Sequence, residues 1–318
     1  MRQHRLLVTG AGGFVGQVLA DIVCNHPQAD EISLVPLAES DGAAIDIRNA
    51  AAVADAVAAV APTAVIHLAA IASPRQAAAE PDKAWSVNLI GTFNLADAVL
   101  RHVPDARFVF AGSSEAYGAS FARLAGRPID EDWPLEPLTP YGATKAAADI
   151  MLGQMARQGL KVVRFRPFNH TGPGQPTAYV APSFARQIVR IENGWQEPVM
   201  RVGNLAVKRD YLNVRDVAGA YVEAALGRAV GPFNLATGQP TAIGSMLEIL
   251  LAQTTASIRV ETDPALLRQG ELETVSGDPS RAEEAFGWQV RWSLQETLTD
   301  VLDHWRGLAE TAPDQLRD

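Results

Sequence analysis

Apolar and polar positions alternate along the first half of the chain with two different periods. Short apolar or β-branched runs, RLLVT (5–9), EISLVPL (31–37), AVIHLAA (64–70), RFVFAG (107–112) and KVVRFRP (161–167), predict buried strands. Between them lie longer stretches with an apolar residue every three or four positions: FVGQVLADIVCNH, NAAAVADAVAAV, the long DKAWSVNLIGTFNLADAVLRH, and the segment from Tyr141 to Gln158. These predict helices, and IDIRN adds the end of a further short strand at Asp46. Strands alternating with helices imply right-handed βαβ units and an α/β fold, a doubly wound parallel (Rossmann) sheet covered on both faces. After RPFNHTGPGQP the rhythm breaks into an amphipathic stretch, SFARQIVRIE, and shorter segments up to WSLQETLTDVLDHW. A smaller C-terminal lobe is expected there, completing a cleft beyond the carboxyl ends of the strands. The expected division is 1–168 with about 204–236 for the sheet domain, and about 169–203 with 237–318 for the substrate lobe.

Composition narrows the partners. With 27 basic and 36 acidic residues the formal charge is −9, which repels phosphate backbones and argues against nucleic acid. An anionic ligand must then be held by a few placed arginines. One cysteine, Cys24, excludes an internal disulfide and a cysteine-based metal site. The first strand begins too near the N-terminus for a signal peptide, and no apolar run reaches ~18 residues. The expectation is a cytoplasmic protein with no membrane or metal partner.

TGAGGFVG places Gly10, Gly13 and Gly16 after the first strand, with Phe14 and Val15 opening the first helix. That spacing lets backbone N–H groups approach a pyrophosphate at a positive helix end, so a dinucleotide is expected. The second strand ends in Pro36 and Leu37, not in an acid, with Glu39 and Asp41 later and no nearby arginine, which leaves NADH and NADPH both open. Asp46, beside Ile47, fits either an adenine amino group or a helix N-cap. Leu68, Ala69 and Ala70 end another strand where small residues admit a cofactor. Asn88, inside an apolar helix face, needs a partner.

A proline at a first helical turn places Tyr141 and Lys145 one turn apart on one face. A phenol pKa of about 10 must fall by roughly three, or ~4 kcal/mol, for proton transfer near neutrality. An ammonium ~5 Å away at an effective dielectric of ~20 supplies roughly 3 kcal/mol. Ser113, in GSSEAYG at the end of the fourth predicted strand, can bond a carbonyl oxygen, with Ser114 and Glu115 beside it.

TGAGGFVG, HLAA, Asn88 in VNLIGT, SSEAYG and YGATK, in this order, resemble the extended short-chain dehydrogenase/reductase family of nucleotide-sugar enzymes. RPFNHTGPGQ, SFARQIVRIENG, VGNLAVKRDYLNVRDVAGAY and DPALLRQGE look like its GDP-4-keto-6-deoxy-D-mannose reductase branch, whose members make GDP-D-rhamnose. The resemblance implies that Ser113, Tyr141 and Lys145 are catalytic, with Tyr141 transferring the proton and Lys145 also holding the nicotinamide ribose. It implies substrate contacts from Ser114, Glu115, Asn169, Val180, Ser183, Arg209, Arg268 and Glu271, although LRQGE stands where related chains tend to read LRPSE. In 4,6-dehydratases of the superfamily a glutamate at the place of Glu115 removes the sugar C5 proton, and the alternative is a group that orients a sugar hydroxyl or Ser113. A dehydratase or 4-epimerase with tightly held NAD, and a non-catalytic cofactor-binding regulator, are the competing readings. The resemblance also implies a homodimer in which the helix from Tyr141 and the preceding long helix form a four-helix bundle. His170 is expected to fill a turn, Tyr117, Trp195 and Trp305 to pack, and Arg186 and Arg190 to carry surface charge.

Overall fold

The computed structural model describes residues 4–39, 42–267 and 270–317. The chain runs through β1 (His4–Thr9), α1 (Phe14–Cys24), β2 (Ile32–Pro36), α2 (Ala50–Val60), β3 (Ala64–His67), α3 (Pro74–Ala79), α4 (Pro81–Trp85), α5 (Thr92–His102), β4 (Arg107–Ala111), α6 (Pro140–Ala156) and β5 (Lys161–Pro167). It continues with β6 (Asn169–Thr171), α7 (Val180–Glu192), β7 (Val199–Val202), β8 (Lys208–Arg209), β9 (Tyr211–Asn213), α8 (Val214–Leu226) and β10 (Gly231–Leu235). Then follow β11 (Thr241–Ala242), α9 (Ile243–Leu251), β12 (Arg259–Thr262), β13 (Thr274–Val275), α10 (Ser280–Phe286), α11 (Leu294–Thr311) and α12 (Asp314–Arg317).

One six-stranded, all-parallel sheet has the order β2-β1-β3-β4-β5-β10. Successive side chains of a strand point to opposite faces, so Leu6 and Val8 pack with α1 and α8 while Leu7 packs with α2 and α5. Both faces of the sheet are therefore apolar, which is why its strands read as continuous apolar runs. The winding reverses between β1 and β3, so their carboxyl ends, Thr9 and His67, border the crevice where such sheets take ligands. A third core gathers α7, α9, α11 and α12 around Phe184, Ile188, Met246, Leu302 and Leu316. Trp195 and Trp305 pack against it.

Three expectations are corrected. IDIRN forms no strand: Asp46 lies in a loop, and the N-cap of α2 is Asn49, whose side chain accepts from Ala52 N. The long helix is broken by a π-helical turn over Ser86–Gly91 that joins α4 to α5. An inserted residue of this kind re-aims the side chains around it, and Asn88 lies within it. Arg190 is also no simple surface charge, since its Nη1 donates to the Leu316 carbonyl at 2.6 Å and ties α7 to α12.

The catalytic-helix candidate α6 is bolted to β5 by a buried ionic cluster. Asp149 accepts from Arg164 Nη1 at 2.6 Å and from Arg166 Nε and Nη2 at 2.9 and 3.1 Å. Arg166 Nη1 also donates to the Tyr117 hydroxyl at 2.9 Å, and Tyr117 donates to Asn234 Oδ1 at 2.7 Å. Removing one partner strands the others in a dry interior. Asp149→Ala is therefore expected to cost about 3–5 kcal/mol in urea unfolding; a loss below about 1 kcal/mol, the scale of a surface pair, would mean that the cluster does not anchor α6.

Candidate active site

The crevice begins where β1 ends. Gly10 has φ +72°, and a Cβ there would lie 2.8 Å from the Ala69 amide nitrogen, so this position requires glycine. A Cβ at Gly16 would lie 2.5 Å from the Gly10 carbonyl oxygen, which seats α1 directly on the turn. Gly13 is the N-cap of α1 and contributes no side-chain cap, so the first amides of the helix face the turn uncovered. Phe14 and Val15 are half-buried in that first turn, as are Leu68, Ala69 and Ala70 opposite it. The arrangement fits the pyrophosphate of a dinucleotide: a glycine turn, a helix N-terminus with no side-chain cap, and a positive helix end. The Phe14 ring stacks on His170 with centroids 6.5 Å apart, and His170 Nδ1 donates to the Phe168 carbonyl at 3.1 Å, in keeping with a turn-filling histidine. Its pKa is depressed by burial.

Further along the crevice, Ile47 is buried while Asp46 is half-exposed and held by Arg48, whose side-chain hydrogen bonds keep the carboxylate below its ordinary range. Asn94 Nδ2 donates to the carbonyls of Ile47 and Arg48 at 3.0 and 3.1 Å, fixing this loop to α5. Asn88 finds the partners its burial demands. It brackets Ile71, accepting from the amide at 2.8 Å and donating to the carbonyl at 3.2 Å, and it donates to Thr144 Oγ1 on α6 at 3.0 Å.

Ser113, Glu115, Tyr141 and Lys145 converge at the end of β4. Thr139 caps α6 by accepting from Gly142 N at 2.9 Å and passes its own proton to Glu115 Oε2 at 2.9 Å. A Cβ on Gly142 would lie 2.7 Å from the Glu115 carbonyl oxygen, so the first turn of α6 rests on the 113–118 loop. Ser113 Oγ accepts from Glu115 N at 3.1 Å, and Ser113 is near enough to bear on the Tyr141 hydroxyl. The expected lowering of the phenol by Lys145 is not what the structure gives. Burial first, and then the Glu115 charge, push the Tyr141 hydroxyl above its ordinary value, with Ser113 opposing. Lys145 Nζ donates to the Ala111 carbonyl at 2.7 Å and lies 5.1 Å from the Phe110 ring centroid, and burial pushes it down to about 8. The phenol is thus held in its protonated form, the form a proton donor needs.

On the opposite wall, Val180 opens α7, Ser183 is half-buried one turn later, and Asn169 is exposed on β6. Arg209 donates to Glu271 Oε1 at 3.2 Å and to the Leu272 carbonyl at 2.9 Å, bringing two expected substrate residues together. Ser114 is buried. Arg268 lies outside the described residues.

The family model for GDP-mannose 4,6 dehydratase matches residues 7–301. The chain belongs to this family. It is 33% identical to the GDP-6-deoxy-D-mannose reductase of Pseudomonas aeruginosa over 95% of this chain and 97% of that protein. It is 30% identical to a UDP-glucose 4-epimerase of Mycolicibacterium smegmatis over 96% of this chain and all of that protein. The solved structure of RMD from Pseudomonas aeruginosa complexed with NADPH superposes with a TM-score of 0.85 at 31% identity, covering 96% of this chain and 99% of that one.

Within the family frame, sequence reasoning missed Thr139, Asn94 and Tyr179. Tyr179 is the N-cap residue of α7, and its hydroxyl donates across the cleft to the Ala72 carbonyl at 3.5 Å. Burial and the Glu115 charge raise its pKa. An aromatic residue directly before a helix that faces the crevice was the available signal.

Lys145 gives this dehydratase-family chain a distinctive pH dependence. The folded chain releases the Lys145 proton near 8 and the unfolded chain near ~10.4, so between those values the unfolded state binds more protons. The contribution of this group to stability accordingly rises with pH across that window, by ~3 kcal/mol in all. Urea unfolding of the ligand-free protein should show wild type gaining on Lys145→Met between about pH 8 and pH 10; a stability difference independent of pH would contradict the burial cost.

Proposed function

We propose that this chain is an NAD(P)H-dependent reductase of the C4 keto group of GDP-4-keto-6-deoxy-D-mannose, giving GDP-D-rhamnose or its C4 epimer, GDP-6-deoxy-D-talose. The observation that carries the reading is the gathering of Ser113, Tyr141 and Lys145 at the carboxyl end of β4, where Lys145 Nζ bonds the Ala111 carbonyl and Ser113 bears on a buried, protonated phenol. Gly10, Gly13, Gly16 and Leu68–Ala70 would hold the nicotinamide cofactor, which when bound would supply the hydride for sugar C4. Tyr141 delivers the proton to the C4 oxygen. Ser113, whose oxygen already accepts from Glu115 N, has its own proton available for the same oxygen as negative charge develops there. Lys145 contributes a positive charge beside the ribose and nicotinamide once its bond to the Ala111 carbonyl is exchanged.

Asn169, Val180, Ser183, Arg209 and Glu271 form the wall assigned to the nucleotide sugar in this proposal. Arg209 supplies the forked donor that a diphosphate requires on an otherwise acidic protein. The relatives named above support the substrate class: a GDP-6-deoxy-D-mannose reductase matches over nearly the whole chain, and a relative's structure holds NADPH. The proposal includes a homodimer. Ile90 and Phe93 on the π turn and α5, with Ile150 on α6, are exposed to 51, 42 and 62%, and together with Leu89, Ala147 and Met151 they line an apolar face. Two such faces make the four-helix pairing that hides them.

A 4,6-dehydratase is the second reading, favoured by the position of the Glu115 carboxylate close enough to Tyr141 and Tyr179 to raise both phenols. The Thr139 bond instead ties that carboxylate to the cap of α6, which suits a supporting role. The two readings separate with GDP-4-keto-6-deoxy-D-mannose and NADPH or NADH as reactants. Tyr141→Phe should lose about 10²–10⁴-fold in reduced-nicotinamide oxidation, while Glu115→Gln should stay within about tenfold of wild type. Consumption of GDP-mannose without added cofactor, abolished by Glu115→Gln, would make the protein a dehydratase.

A further inference from the structure

Thr9 and His67 face each other in register at the carboxyl ends of β1 and β3. The His67 ring is 2% exposed, packs against Phe108 and Phe110, and is hydrogen-bonded at both nitrogens. Nδ1 lies 2.7 Å from Thr9 Oγ1 and Nε2 lies 2.9 Å from Thr92 Oγ1. Proton counting assigns the direction of each bond. Thr92 gives its only hydroxyl proton to the Asn88 carbonyl at 2.7 Å, so it must accept from Nε2–H. Thr9 Oγ1 already accepts from the amides of Leu68 and Ala69 at 3.2 and 3.1 Å, so its proton goes to Nδ1. The ring is therefore neutral, with its proton on Nε2. Burial first, and then the Lys145 charge, hold His67 down to about 3.

The chain of bonds extends on both sides. Towards the cofactor it ends on the backbone of Leu68 and Ala69, the segment that Gly10 approaches so closely. Towards the proton donor it passes from Asn88 Nδ2 to Thr144 Oγ1 at 3.0 Å, and from Thr144 to the Tyr141 carbonyl at 2.8 Å.

We propose that His67, as the neutral Nε2–H tautomer, is a positioning residue that couples the floor of the dinucleotide turn to the helix carrying Tyr141. It touches neither substrate nor cofactor. Through Thr9 on one side and Thr92, Asn88 and Thr144 on the other, it keeps the hydride source and the proton donor in one relative placement. The kinetic arm of the test rests on the reductase reading above; the spectroscopic arm does not.

Nitrogen-15 NMR of the whole, histidine-labelled protein, with the His67 signal assigned by its loss in His67→Leu, reads the tautomer directly. The expected ring is neutral and protonated at Nε2, unchanged from about pH 5.5 to about 8.5. A ring that titrates in that range, or carries its proton on Nδ1, overturns the proposal. His67→Leu is expected to weaken NADPH binding, measured by fluorescence, and to lower kcat at least about tenfold. It should also enlarge the isotope effect from NADPH deuterated at the transferred position. His67→Gln, which can both donate and accept, should recover part of each change. Folded His67→Leu with kcat within about twofold of wild type and an unaltered isotope effect overturns the coupling. If wild type fails to oxidise NADPH with the keto sugar, the reductase reading falls, and the tautomer and NADPH affinity still decide the role of His67.

Discussion

The rest of the site depends on how closely the backbone at Gly10 approaches Leu68 and Ala69. That contact, too tight for any Cβ, brings the Thr9 hydroxyl within reach of two amides and an imidazole at once. It occurs where the winding of the sheet reverses, so closing the gap between β1 and β3 also defines the crevice in which a dinucleotide lies. The helix ends, the small residues and the side chains proposed for catalysis are then arranged around a backbone geometry that only glycine permits.

Helix α6 carries two charges into the interior, and the structure treats them differently. Asp149 is matched by two arginines and a tyrosine network, which is the condition under which a buried carboxylate can hold an element in place. Lys145, one turn earlier, has a carbonyl and an aromatic face but no carboxylate ion pair among the described residues, and burial lowers its affinity for a proton. The first charge fixes the helix. The second is costly in the ligand-free protein, and it is the one the proposed reaction uses.

Much of this was legible in the sequence. Strands β1, β3, β4 and β5 read clearly because a sheet covered on both sides selects unbroken apolar runs, and Ser113, Tyr141 and Lys145 read from a strand end and one turn of helix. GPFNL did not stand out as a strand, since β10 lies at the edge of the sheet, where Gly231 and Pro232 are tolerated. The π turn at Asn88 was hidden because one inserted residue barely disturbs an apolar period. Thr139, Tyr179 and the Thr9–His67–Thr92 chain were hidden because their partners lie 24 to 107 residues away, distances that only the folded chain closes.

Glu115 is the residue on which the reductase and dehydratase readings differ, and its environment accommodates both. The same carboxylate that steadies the cap of α6 and keeps Tyr141 protonated could, over a different sugar, take a proton from carbon. The most direct measurement is to locate deuterium in the sugar by NMR after reaction in heavy water. The account predicts that GDP-4-keto-6-deoxy-D-mannose reduced with NADPH yields a C4 alcohol with no solvent deuterium placed on C5 during turnover, and that GDP-mannose is untouched. Solvent deuterium on C5 of a 4-keto product formed from GDP-mannose would contradict it.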